Sequence, residues 1–393
     1  NNTIQELQVI SGTFNAEYGR AMSGIINMVT KDGSDQFEGA FRSFSGDHIS
    51  TDPIYRNLDS YNPFNQRNVE MQVSGPILKN KLTYFASGRY YGANGWLSGM
   101  NTFSMYGDTL INPDYAPMNG INKYSLQNKL TFSYSPYTKL KFKYITNKEQ
   151  SQGYDHYRQM TQEGRNTNFN KGNFFGINLS HTFSSEAFME FNISRHSKKF
   201  QSYLFEDEND PRYVTPDSLY YAHITGELSQ GIPQGTNYYP SHSFGRWGVD
   251  MNRFMRETIT NQLKLDFTRQ LNVFNQFKLG IEVQFHQLEL DSYALMDSSS
   301  NDLVFTPVIP QLGAEYDISG NVIPQLSAEE KLQFSEDIPS WVSHFHVNRS
   351  YYQNSPKEMS AFIQDKIEYG DMIINLGLRY DYFDPNSWVP VNP

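Results

Sequence analysis

The sequence predicts an all-β chain that forms the wall of a transmembrane antiparallel β-barrel, with about eleven strands present. Three observations predict it. Apolar and polar residues alternate with period two in one segment of about ten residues after another. The chain carries 27 Tyr and 28 Phe, 15% aromatic overall, yet only 38% of it is hydrophobic and its mean hydropathy is -0.61. A packed globular core does not call for that pairing, whereas a wall with one lipid face, one wet face and aromatic girdles at both interfaces does. Finally, tight turns and long loops alternate strictly along the chain, as they do when short turns lie on one side of a membrane and loops on the other.

The elements follow in order. Phe14 to Lys31 reads as a polar corner, Glu17-Tyr18-Gly19-Arg20, a bend at Ser23-Gly24, and one buried strand carrying Ile25, Ile26, Met28 and Val29. Asp32-Gly33-Ser34-Asp35 turns the chain into a first long strand from Phe37 to Ser45. Val69, Met71 and Val73 then alternate with Glu70, Gln72 and Ser74, and Pro76 to Lys81 leads into a strand from Leu82 to Ala93. Tyr124, Leu126, Leu130, Phe132 and Tyr134 oppose Ser125, Gln127, Lys129, Thr131 and Ser133. Leu140, Phe142 and Tyr144 oppose Lys139, Lys141 and Lys143. Three lysines on one strand face do not point into lipid, where each would cost roughly 2–4 kcal/mol. The alternation continues through Phe175 to Phe183, Met189 to Ser194, Ile259 to Phe267, Leu279 to His286, Ala361 to Tyr369 and Ile374 to Tyr380.

Tight turns fall near Leu78, Pro136, Ser185, Asn272 and Gly370. Long loops run from Gly46 to Gln66, Asn94 to Ile121, Ser151 to Thr167, Glu206 to Arg253 and Ser292 to Tyr352. The last two exceed ordinary loop lengths, and their aromatics (Tyr220, Tyr221, Tyr238, Tyr239, Trp247, Phe305, Trp341, Phe345) point to folded surface caps rather than disorder.

Composition excludes several functions. No run of about eighteen apolar residues supports a helical span. There is no cysteine, so disulfides, thiolate metal sites and cysteine nucleophiles are absent. A net charge of -10 with no basic stripe argues against nucleic acid as a partner. No glycine-rich phosphate loop, nucleophile elbow or Ser/His/Asp set occurs, and the chain is not expected to be an enzyme or to hold a cofactor. His344 and His346 would share one face of an extended segment and could bind a metal with a third ligand, but solvated loop histidines are the simpler reading. Glu206 to Asp210 is acidic without EF-hand spacing, and reads as a solvated loop. No metal site is assigned. Trp96, Tyr154, Tyr157 and Trp247 are the candidate ligand-stacking residues, against the blander reading that they pack loops together.

Some of the wording resembles a known family. Ala16-Glu17-Tyr18-Gly19 followed by Gly24, Asn27, Val29, Thr30 and Lys31 is similar to the end of the plug domain of TonB-dependent outer-membrane receptors, and to the Oar-like, Bacteroidetes-type receptors in particular. SGPILKNKLTYF from Ser74 and MSAFIQDKIEYGDMIINLGLRYDYF from Met359 resemble barrel text of the same receptors. The resemblance implies residues 1–33 as the C-terminal end of a plug and residues 34–393 as the N-terminal half of a barrel of about 22 strands, the size that transporters fill with a plug. It implies a fragment, lacking a signal peptide, the TonB-contacting segment and the closing strands. The expected function is plug-gated, TonB-dependent uptake of an unidentified substrate across the outer membrane. The alternative is a structural subunit of an outer-membrane secretion or protein-assembly complex. Implied partners are membrane lipid, TonB, and a surface lipoprotein or multiprotein complex. Glu17, Tyr18, Gly19, Arg20, Gly24 and Asn27 become the plug motif, with Glu17 and Arg20 either paired locally or locked to the wall. Lys139, Lys141, Lys143, Glu190 and Lys264 are the candidate wall charges.

Overall fold

The computed structural model describes residues 3–11, 15–19, 23–105, 109–210, 212–213, 244–245, 249–297, 315–316, 322–323 and 344–387. Two strands open the chain, β1 (Ile4–Ser11) and β2 (Gly24–Thr30), paired antiparallel as a hairpin. The sheet follows: β3 (Glu38–Gly46), β4 (Gln66–Leu78), β5 (Leu82–Ala93), then a loop hairpin β6 (Ser98–Phe103) and β7 (Thr109–Pro117). It continues with β8 (Ile121–Ser135), β9 (Thr138–Ser151), β10 (Thr167–Ser184), β11 (Ala187–Tyr203), β12 (Asn252–Gln270) and β13 (Asn275–Asp297). After a two-residue pair, β14 (Glu315–Tyr316) and β15 (Val322–Ile323), come β16 (His344–Asn354), β17 (Lys357–Tyr369) and β18 (Met372–Asp384).

Every neighbouring pair in the sheet is antiparallel and follows chain order, from β3 at one edge to β18 at the other. β16 and β17 both pair with β13, the first along its upper half and the second along its lower half. They are one strand interrupted at Ser355-Pro356, where proline has no N–H to give and the Pro356 carbonyl still accepts from His286 N at 2.9 Å. Counting them as one gives the eleven strands that the alternation predicts.

The two faces differ as the alternation requires. On one, Leu126, Ile281, Leu376 and Leu378 are exposed, Leu378 at 76%. On the other, Asn68, Ser87, Lys129, Asp266 and Gln364 are buried, none above 8%. A soluble sheet buries its apolar face; this one inverts the rule, which is what a wall set against lipid does. The middle of the apolar face is a row in register, Phe142, Ile177, Ile193, Leu263 and Val283, across five strands.

Loop parity also matches. All tight connections lie at one end, where Asn80 and Gly370 take positive φ (62° and 58°), a conformation that Asn and Gly tolerate. The long loops gather at the other end. Three expectations need correction. The strand expected to be buried, β2, is exposed: Ile26 and Met28 are 64% and 57% exposed, because a two-stranded ribbon with β1 leaves its Leu7, Val9, Ile26, Met28 face uncovered. The loop from Asn94 to Ile121 is itself a hairpin, β6 and β7. The loop placed from Ser292 to Tyr352 is shorter, because β13 runs to Asp297 and β16 begins at His344. Most of the two longest loops, with the aromatics assigned to caps there, lies outside the described residues. What is described near them is a small apolar core of Tyr213, Val249 and Leu295 with Phe205, Met251 and Tyr293 around it.

Candidate functional site

The hairpin and the segments flanking it meet the polar face of the sheet at two places. At the first, β2 ends at Thr30 and Asp32 lies two residues on. Its carboxylate pairs with the Lys129 ammonium from β8 and with Lys141 from β9 at 2.7 Å. Lys129 Nζ also donates to the Thr30 carbonyl at 3.0 Å. Because β8 and β9 are neighbours with Lys129 and Lys141 on one face, the register brings two ammonium groups to one carboxylate. Burial alone would raise the Asp32 pKa, but the hydrogen bonds and charges of the two lysines outweigh it and hold the group below the usual carboxylate value. Gly33 then lies against the backbone of β5: a Cβ there would sit 2.6 Å from Tyr84 N. Phe85, on the polar face of β5, is 3% exposed beneath this turn.

At the second place the corner Asn15 to Gly19 rests on β13 and β18. Tyr18 N donates to Asn15 O at 3.0 Å, which makes the turn. The Glu17 carboxylate pairs with Lys278 of β13. Arg379 of β18 donates to the carbonyls of Glu17 (3.2 Å) and Ala16 (3.4 Å) while Asp381 holds its other side at 2.9 Å. Gly19 lies on that guanidinium: a Cβ there would come 2.5 Å from Arg379 Nε, so a side chain at this position would have to displace the arginine. Burial, then the Glu17 charge, raises the Tyr18 pKa. Arg20 lies outside the described residues. Gly24 and Asn27 are exposed in β2, paired with Ser11 and Gln8 of β1.

Of the wall charges nominated from sequence, Lys141 meets Asp32, and Lys264 pairs with Asp266 at 3.2 Å close to Tyr18. Sequence reasoning missed Lys278, Lys129 and Arg379 as partners. Parity does place Lys129 and Lys278 on the polar face, but nothing local says which lysine a corner 261 residues away will reach.

The loop end is organised by Arg165, 5% exposed. Its guanidinium donates to Met118 O (2.8 Å), Gly153 O (3.0 Å), Pro117 O, Gln162 O and Gln152 Oε1, tying the β7–β8 connection to the 152–166 loop. Beside it is a crevice of about 480 Å³ that includes Asp155, Tyr157, Arg158, Asn168, Asp250 and Asn252. Tyr157 packs on Gly245, and Tyr154 hydrogen-bonds His156, whose ring meets Phe244 at 5.1 Å. Trp96 is in a different contact, edge-on to Tyr55 at 5.8 Å. Trp247 and the side chains of His344 and His346 lie outside the described residues. Asp210 is engaged by Arg212, which draws its pKa down to about 2. Among the described residues no three His, Asp or Glu side chains converge as a metal site would need.

No protein-family model matches the chain. Among curated proteins it is similar to the TonB-dependent transporter Oar of Myxococcus xanthus, 30% identical over 98 residues, covering 21% of this chain and 8% of that protein. Among solved structures it superposes on the outer membrane transporter YddB of Escherichia coli with a TM-score of 0.56 at 11% identity, over 97% of this chain and 43% of that one. The siderophore receptor PiuA of Acinetobacter baumannii gives 0.52 at 11% identity, over 97% and 48%. The chain thus spans under half the length of the structures it matches, and it shares with them the fold of an outer-membrane receptor barrel.

Proposed function

We propose that the chain belongs to the TonB-dependent receptors of the outer membrane and takes part in plug-gated uptake of a substrate still to be identified. Residues 1–33 are then the end of the plug, and residues 34–393 are wall. The free edges of β3 and β18 suit a barrel completed by further strands. The observation that carries the reading is the double seating of the N-terminal segment on the polar face, through Asp32 and through Glu17. A segment meant to be permanent would be covered by apolar packing; ion pairs at a wetted wall can be exchanged for water when the segment is pulled. Exposed apolar residues on the opposite face support a wall set in lipid, and the loop crevice would then be the first contact for a ligand arriving from outside.

The test is single-channel conductance of the full-length protein in planar bilayers. The wild type should conduct little, and Glu17→Lys with Asp32→Lys should raise conductance by loosening the plug. A large wild-type conductance means an open diffusion pore, and unchanged conductance in the double variant removes the plug-seating argument. Purification from the native membrane separates the alternative: co-elution in fixed ratio with secretion or assembly components would make the protein a scaffold.

A further inference from the structure

From the strand register we infer that the lipid-facing side of the wall carries a binding site for an acylated phosphate lipid in the leaflet at the loop end. Lys148 of β9, Lys171 of β10 and Lys199 of β11 stand directly opposite one another in register. Parity puts all three on the apolar face, because Lys141, which meets Asp32, is an odd-numbered residue of β9 and Lys148 is even. Neighbouring strands lie about 4.8 Å apart, so the three ammonium groups cover roughly 10 Å. Like charges opposite one another destabilise a sheet unless something neutralises them. Lys199 has Glu257 at 4.0 Å, the next residue of the same row. Lys148 and Lys171 have no ion-pair partner among the described residues, and both are exposed.

Height fits the same occupant. Tyr144 and Phe175 form an aromatic step of the apolar face, and the lysine row lies four residues further toward the loops. From the middle row at Phe142 and Ile177 it lies six residues away, about 20 Å along the strands or about 14 Å along the membrane normal at 45° tilt, which is the edge of a hydrocarbon core about 30 Å thick, where lipid headgroups begin. Between the two runs a hydrogen-bonded polar row, Thr146 Oγ1 to Asn173 Oδ1 at 2.9 Å and Asn173 Nδ2 to Ser197 Oγ at 3.4 Å.

The second observation is independent. Directly beside Lys148 the apolar face is hollowed into a shallow groove of about 710 Å³ that runs sideways across β4, β5, β8 and β9, with Val69, Tyr90 and Tyr124 in the register row of Lys148 and Met71 and Leu126 in the row below. Gly88 forms its floor, with nothing within 4 Å of where a Cβ would stand. A mainly apolar groove leading sideways from an unneutralised ammonium gives an acyl chain a place against the wall next to its phosphate. Protein docking would need a counter-surface of acid beside apolar side chains at lipid depth, a combination that an anionic lipid already supplies.

The site rests on the membrane reading above, and the experiment separates the two. Full-length protein is placed in nanodiscs of equal phosphatidylglycerol and phosphatidylcholine, and lipids retained on release are counted by native mass spectrometry. The wild type should retain phosphatidylglycerol preferentially. Lys148→Ala with Lys171→Ala should weaken that preference by roughly fivefold per lysine, and Gly88→Leu should reduce retention by filling the groove. Lys198→Ala, on the opposite face, should change nothing. Equal retention of the two lipids by the wild type, or full retention by the double variant, overturns the site while leaving the barrel in the membrane. A protein that enters no bilayer overturns both readings.

Discussion

Replacing Asp32 by Asn removes the charge that two lysines share. Lys129 has only 8% of its side chain exposed, Lys141 29% and Asp32 itself 37%. An exposed pair would be worth 0–1 kcal/mol and a fully buried one, broken on one side, about 3–5 kcal/mol. Screening through the exposed part of Asp32 argues for a value between, about 2 kcal/mol, which is roughly a thirtyfold shift toward the unseated hairpin. Amide hydrogen exchange of β1 and β2, followed by mass spectrometry, reads that shift directly, since the strands of the sheet serve as an internal reference. The pH dependence has a fixed sign. The seated pKa of Asp32 lies below its ordinary value, so its contribution is complete above the ordinary value and is lost as pH falls through the seated one. Hairpin protection should therefore fall at acid pH in the wild type, and the Asn variant should lack that step. Less than a threefold change at neutral pH would show that the lysines are satisfied by water and that Asp32 does not seat the hairpin.

Other perturbations test other parts. Gly33→Ala places a Cβ against the β5 backbone, which has no flexible side-chain end to yield, so hairpin protection should drop while the sheet remains; an unaffected hairpin would mean the turn can lift at no cost. Arg165→Met strips five acceptors of their shared donor, and a loss on the order of 3 kcal/mol should speed limited proteolysis of the 94–121 and 152–166 loops by about a hundredfold. Leu263→Arg sets a charge in the middle of the apolar face and should cost about 2–4 kcal/mol in folding into bilayers. Gln262→Lys, one residue away on the polar face, should cost far less, and equal losses would refute the assignment of faces.

Much of the fold can be read from period two alone, because a wall with lipid on one side and water on the other must repeat its choice at every residue. That is why Leu263 against Gln262, or Leu126 against Gln127, fixes both strand and face. The signal fades where both faces are wet. Beyond Ser292 the chain keeps its ladder to Asp297, but no lipid enforces alternation there, so the strand reads as loop. The β6–β7 hairpin hides for a related reason: Asn112-Pro113-Asp114 resembles loop composition although Asn101 and Asp114 are paired. The seating of the corner at Glu17 was legible as a charged turn, yet its partner was not. Lys278 is selected by where β13 falls in the sheet, a property of the whole order of strands.

The lengths of the strands bear on how a ligand would arrive. β13 has 23 residues and β12 has 19, whereas about ten residues cross a bilayer at the usual tilt. The surplus of β13 falls almost entirely at the loop end, since its lower end meets the tight turn after β12. At about 3.3 Å per residue and 45° tilt it raises a parapet roughly 30 Å above the hydrocarbon on this side of the wall. β16 braces the upper half of it. On the uptake reading proposed above, a bulky cargo would be received well clear of the crowded membrane surface and handed down along a stiff ramp, so that the height of the rim, as much as the chemistry of the crevice, would sort what can approach.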